Sequence, residues 1–129
     1  MLLSTPPIVL RDAGAVARHF APIAASAVEI AVVAFLDPNW RLLGESRFTG
    51  ASRWVTPSIR TIIRDALSFD ATTAVLVHSH PGGDPAPSAA DIAFTRRLAI
   101  TLRAIDVTLV DHLILGGNAM VSLRQRGML

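Results

Sequence analysis

The chain has 129 residues, 51% of them hydrophobic and 17% charged, which fits one globular domain with a substantial core and excludes a disordered chain. It has no cysteine, so disulfides, thiolate-bound zinc and thiol nucleophiles are excluded and any metal must sit on His, Asp or Glu. The net charge is only +2, and all 12 basic residues are arginines scattered from Arg11 to Arg126 without a basic run, so composition gives nucleic-acid binding little support.

The first residues, "MLLSTPPIVLRDAG", lack a basic start, and Pro6-Pro7 and Arg11-Asp12 interrupt their apolar stretch, which does not fit a signal peptide. No segment approaches the roughly 20 apolar residues needed to cross a bilayer, so no membrane partner and a cytoplasmic location are expected. An N-terminal arm leads to a helix near residues 12–21. "VEIAVVAFLD" (28–37) is rich in β-branched residues and closed by the turn signal Asp37-Pro38-Asn39, so it is predicted as a strand, with "WRLLGESRF" (40–48) as its hairpin partner. Thr56-Pro57 offers an N-cap and an N1 proline for a helix running to about Phe69. "TAVLVHSH" (73–80) is apolar on both faces and therefore a central strand. A helix follows over 89–104, then the strand "VTLVDHLILGG" (107–117), which Gly116-Gly117-Asn118 turns back into "AMVSL". The order predicts an α/β fold with a single mixed β-sheet flanked by helices. The domain division expected is residues 1–28 as arm and helix and 29–129 as the domain proper.

The chemistry concentrates in "VLVHSHPGGDPAPSAAD". On a strand, alternate side chains share a face, so His78 and His80 can converge on one ion; taken alone, the pair reads more simply as surface histidines at a strand exit. Asp91 alters that balance. Ser88 as N-cap and Asp91 at N3 resemble a capping box. At 100° per residue Asp91 also lies in the same stripe as Phe94, Leu98, Leu102 and Ile105, so it faces inward and needs a compensating partner. A divalent cation held with His78 and His80 would supply it and leave a fourth position open. Of the two glutamates, Glu45 is expected at the surface, whereas Glu29 opens a strand with Ala31, Val33 and Phe35 on its own side. Glu29 begins its strand and His78 ends its own, so the two strands are predicted to run antiparallel.

Glu29, then His78-x-His80, seven residues, Ser88, two residues and Asp91 resembles the JAMM motif of JAB/MPN metallopeptidases. The blocks "EIAVVAFLD", "HSHPGGDPAPSAADIAFTRRL" and "DHLILGG...SLRQRG" resemble the RadC branch in order, over residues 29–129. The resemblance implies a cytidine-deaminase-like α/β fold, zinc on His78, His80 and Asp91, Glu29 as acid/base acting through a zinc-activated water, and Ser88 as hydrogen-bond donor to the oxyanion. It further implies a hydrolase for peptide or isopeptide bonds, with peptide or protein substrates that include ubiquitin-like conjugates. The RadC branch also carries a DNA-repair label, so a DNA-associated or scaffolding protein without peptidase turnover is the alternative. A zinc deaminase is disfavoured because the paired cysteines of that signature are missing.

Two departures from the RadC pattern stand out. Only 28 residues precede Glu29, too few for the helix-hairpin-helix module usual in that branch, and Ser79 stands where the family often has Asn. Ser79 is expected to face away from the ion with little effect on it. Asp111-His112, which interrupts an apolar strand, is expected to be a hydrogen-bonded buried pair that fixes strand packing; a pair orienting a metal ligand is the less favoured reading. His19 is expected at the surface, and Trp40 and Trp54 in core or partner packing.

Overall fold

The two most apolar runs of the chain lie side by side at the middle of one five-stranded sheet. A computed structural model describes residues 5–50 and 56–129. Its elements are α1 (Ala13–Phe20) with a 3-10 turn (Ala21–Ala25), β1 (Ile30–Leu36), β2 (Leu42–Thr49), α2 (Ile59–Ser68), β3 (Thr73–Ser79), α3 (Ala89–Arg103), β4 (Thr108–Gly116) and β5 (Ala119–Ser122). The strand order is β2-β1-β3-β4-β5, with β3 central as the sequence predicts. β1 pairs antiparallel with β2 and with β3, β4 antiparallel with β5, and β3 parallel with β4. A parallel pair needs a crossover, and α3 provides it. The α/β architecture with one mixed sheet is therefore as expected from the element order.

Each face of the sheet has its own core. On one side Ala31, Val33, Phe35, Ala74 and Leu76 pack under Ile62 and Ala66 of α2 and Leu98 and Leu102 of α3. On the other, Val32, Ala34, Leu36, Val75, Val77 and Leu113 pack under Val16 and Phe20 of α1 and Ile23 of the turn after it. Half-buried Trp40 joins this second core, and His19 is exposed, both in line with expectation. Trp54 lies outside the described residues.

The N-terminal arm also reaches the sheet. Val9 forms an antiparallel bridge to Arg41, Leu10 N–H donates to the Trp40 carbonyl (2.8 Å), and Leu42 N–H donates to the Ile8 carbonyl (2.8 Å). These bonds cover the outer edge of β2 where it begins.

One expected cap is displaced. α2 is capped by Ser58, whose hydroxyl accepts from Thr61 N–H (3.2 Å), not by Thr56. A serine oxygen directly before the helical run satisfies an orphan N–H of the first turn, and Pro57 is left outside the helix, buried.

Candidate metal centre

The antiparallel pairing of β1 with β3 sets Ala31 opposite His78, so the start of one strand and the end of the other share one end of the sheet. Glu29, two residues before Ala31, falls by alternation on the same face as His78. Its backbone is held from both sides. Gly50 N–H donates to the Glu29 carbonyl (2.9 Å), and Ile30 N–H donates to Ser79 Oγ (3.0 Å). Ser79 is fully buried and turned away from the histidines, as expected, but its role exceeds that expectation: it extends the β1–β3 contact past the last ladder pair and fixes the peptide that follows Glu29.

Asp91 arrives from the first turn of α3. Ser88 N–H donates to Asp91 Oδ2 (2.8 Å) and Asp91 N–H donates to Ser88 Oγ (3.0 Å), a complete capping box. The box aims the second carboxylate oxygen at the strand ends. Leu98 and Leu102 of the same stripe are buried, and Phe94 and Ile105 pack against that core. The capping and inward-facing readings of Asp91 are thus compatible in one rotamer.

Four side chains meet here. Glu29 Oε1 is 2.6 Å from His78 Nε2, Asp91 Oδ1 is 3.6 Å from the same nitrogen, and Asp91 Oδ2 is 3.3 Å from His80 Nε2. One potential ligand atom from each of Glu29, His78, His80 and Asp91 lies within 4.8 Å of all the others. Glu45, the other glutamate, is exposed and paired with Arg47 at 3.1 Å, as expected of a surface residue.

The charges show what such a cluster lacks. Burial pushes the His78 imidazole below its ordinary 6.5, and the neighbouring His80 adds to the shift, against the pull of Asp91 and Glu29. Burial acts to raise Asp91, but its hydrogen bonds with Ser88 and the charges of the two imidazoles outweigh that and hold it below 3.8. The buried His78 imidazole thus faces an Asp91 carboxylate held in its ionised form. His78 Nε2 is buried, and Glu29 Oε1 is its close contact. A buried imidazole nitrogen ringed by the carboxylate oxygens of Glu29 and Asp91 offers a donor set that a divalent cation would complete. The residues present fit one.

Behind His78 stands His112. His78 Nδ1 is 2.9 Å from His112 Nε2, His112 Nδ1 is 2.6 Å from Thr95 Oγ1, and Thr95 Oγ1 is 2.6 Å from the Asp91 carbonyl oxygen. Burial above all, then the nearby His78, drives His112 down to about 3, with Asp91 opposing. The expected Asp111-His112 packing pair is not formed by the two side chains. Asp111 instead accepts from Ser122 Oγ (2.6 Å) and from the backbone N–H groups of His112 and Arg124 (2.7 and 3.1 Å), fastening β4 to β5 and the segment after it. The cause is a register slip: Ala74 pairs with Leu109 but Val75 pairs with Asp111, leaving Val110 as an extra residue. The slip reverses the alternation and puts His112 opposite Leu76, on the face of His78.

The loop between the ligands is packed closely onto β4. His80 N–H donates to the Leu115 carbonyl (2.8 Å), and His80 Nδ1 is 2.9 Å from the Asp84 carbonyl oxygen. Gly83 has φ of +89°, where glycine is favoured, and its carbonyl passes so near Gly116 that a Cβ there would lie 2.8 Å from it. A cavity of about 660 Å³ opens beside the four side chains, walled by Ala31, Leu76, Ala90 and Phe94 and by Thr56, Pro57 and Pro81. Ser88 also lines it; its hydroxyl accepts from Asp91 N–H and keeps its own proton to donate.

Fold and site together define an α/β domain with a two-histidine, two-carboxylate centre suited to a metal ion, set in a cavity at the end of a central strand. The model of the RadC-like JAB domain matches residues 10–128, and the chain belongs to that family. It is 38% identical over 122 residues to a UPF0758 protein of Xanthomonas oryzae pv. oryzae (strain PXO99A), covering 93% of this chain and 54% of that one. A UPF0758 protein of Cellvibrio japonicus (strain Ueda107) is 37% identical over 129 residues, 99% of this chain and 55% of that one. The chain thus spans about half the length of the curated relatives it matches. Among the described residues, no helix is long and apolar enough to cross a membrane.

Proposed function

We propose that the chain is a zinc-dependent hydrolase of the JAMM type that cleaves a peptide or isopeptide bond. The observation that carries the reading is the convergence of Glu29, His78, His80 and Asp91 within 4.8 Å at the mouth of a cavity. Nitrogen ligands and a carboxylate suit zinc, with His78 Nε2, His80 Nε2 and Asp91 as the holding groups. When bound, the ion would polarise the scissile carbonyl and make water acidic enough to be deprotonated near neutral pH.

The chain's own residues account for the remaining steps. Glu29 overlooks the ligand nitrogens and would take a proton from the attacking water as the new C–O bond forms. It would return that proton to the amine nitrogen as the C–N bond breaks, so that its carboxylate is regenerated. The Ser88 hydroxyl would donate to the carbonyl oxygen as negative charge develops there, and its capping-box bond with Asp91 holds it in place. The buried floor of the site limits access by bulk water.

Peptide and protein substrates, ubiquitin-like conjugates among them, belong to this proposal, as does the family's DNA-repair association as its alternative. The test is Glu29→Gln, which preserves shape and removes the base. Zinc content should stay at the wild-type level, while turnover of peptide- and isopeptide-linked fluorogenic substrates falls by about 10²–10⁴-fold. Undiminished turnover in Glu29→Gln would reject the assigned base.

A further inference from the structure

We infer that Thr95 and His112 are positioning residues that dictate which nitrogen of His78 is offered to the metal, an inference that rests on the metal-centre reading. The reasoning follows single hydrogens. Thr95 Oγ1 lies 2.6 Å from the Asp91 carbonyl oxygen, and two oxygens approach that closely only with a proton between them. A carbonyl has none to give, so the threonine hydroxyl donates. Its lone pairs are then what it presents to His112 Nδ1, also at 2.6 Å, and that nitrogen must carry the N–H.

A neutral imidazole has one N–H and one lone pair, so His112 Nε2 is an acceptor. His78 Nδ1, 2.9 Å away, must donate to it. His78 thereby carries an N–H on the inner side, and its Nε2, turned toward Glu29 and Asp91, is the nitrogen whose lone pair an ion would take in place of the proton shared with Glu29. The opposite assignment would press the Thr95 and Asp91 oxygens together with no proton between them and would leave the lone pair of His78 on Nδ1, away from the ion.

His80 shows why His78 needs such a chain. His80 lies just past the end of β3, and the Asp84 carbonyl oxygen, which can only accept, fixes its tautomer in one step. His78 lies inside the sheet, between β1 and β4, where backbone groups serve the strand ladders. A second imidazole takes the carbonyl's place there, and because it has two tautomers of its own it needs Thr95 to select one. The chain starts at the backbone of Asp91, so one residue supplies a candidate ligand and also sets the proton order of another.

Thr95→Val keeps the shape and deletes the hydroxyl; Thr95→Ser restores it. ¹⁵N spectra of the metal-free protein report the His78 tautomer, and competition of Zn²⁺ against a chelating dye reports affinity without any need for turnover. The wild type and Thr95→Ser should both hold the proton on His78 Nδ1 and bind zinc alike. Thr95→Val should move it to Nε2 and weaken zinc binding roughly 10- to 100-fold, the usual effect of losing a group that orients a metal-bound histidine. A wild-type His78 without a proton on Nδ1, or a Thr95→Val protein with unchanged tautomer and affinity, would overturn the inference. If the protein proves unable to hydrolyse amides, the spectra and the zinc titration still decide this question separately.

Discussion

The two faces of the sheet, built on the same strands, end differently. On the face under α1, the alternate positions of β3 run Val75, Val77, then Ser79, and the serine's hydroxyl is used on the backbone of β1. On the face under α2 and α3, they run Ala74, Leu76, then His78, and the polar group there is joined by Glu29, Asp91 and His112. One face closes its polar end at once. The other gathers two carboxylates and two imidazoles around its polar end. Apolar burial thus supplies the stability of both halves, and on one of them it also supplies the dry wall that makes the cluster's charges matter.

That contrast can be broken from the apolar side first. Leu36→Ala empties a fully buried position on the α1 face, far along β1 from Glu29, and should cost about 2–5 kcal/mol in denaturant unfolding. Zinc affinity should remain at the wild-type level; a parallel fall in affinity would show that the two faces are not separable.

Acid sharpens the contrast from the polar side. His78 and His112 sit below their ordinary 6.5 in the folded chain, His112 at about 3, so between those values the unfolded chain binds more protons than the folded one. Stability of the metal-free protein is therefore fully present above about pH 6.5 and is lost as pH falls toward 3, by several kcal/mol. Asp91, held below 3.8, adds a smaller loss at the acid end of that range. Thermal unfolding of metal-free protein from pH 8 to pH 4 measures the slope, and a flat profile would contradict the buried neutral imidazoles.

The smallest effect belongs to the hinge between the faces. Ser79→Ala removes the acceptor for Ile30 N–H and should cost about 1 kcal/mol in stability. If Ser79 holds the start of β1, turnover should fall by more than zinc affinity does, because the peptide it clasps follows Glu29 and not a proposed ligand. Equal losses in both would assign Ser79 a purely packing role.

Much of this was legible in the sequence because it depends on short spacing. Alternation along a strand puts His78 beside His80, a helical stripe turns Asp91 inward, and the need for a common sheet end requires β1 and β3 to be antiparallel, as they are. The family resemblance read from these blocks is borne out by the match over residues 10–128. What escaped depends on events between strands. Strict alternation from Leu109 would have put Asp111, and not His112, on the site face, and the extra residue Val110 is set by a pairing that no local pattern announces. No local pattern marks Thr95 either, because its partner His112 comes from another element. Ser58 displaced Thr56 as a cap by a similar competition, between two hydroxyls two residues apart.

The arm laid along the start of β2 has a protective side. The Ile8 carbonyl and Leu10 N–H occupy main-chain groups that would otherwise invite a strand from a second molecule. Trimming the chain back to α1 would uncover a short adhesive margin next to exposed Leu43, on the strand farthest from β5. Clumping of such a shortened chain, with its metal affinity intact, would be the signature of a lost guard rail and not of damage at the cluster of Glu29, His78, His80 and Asp91.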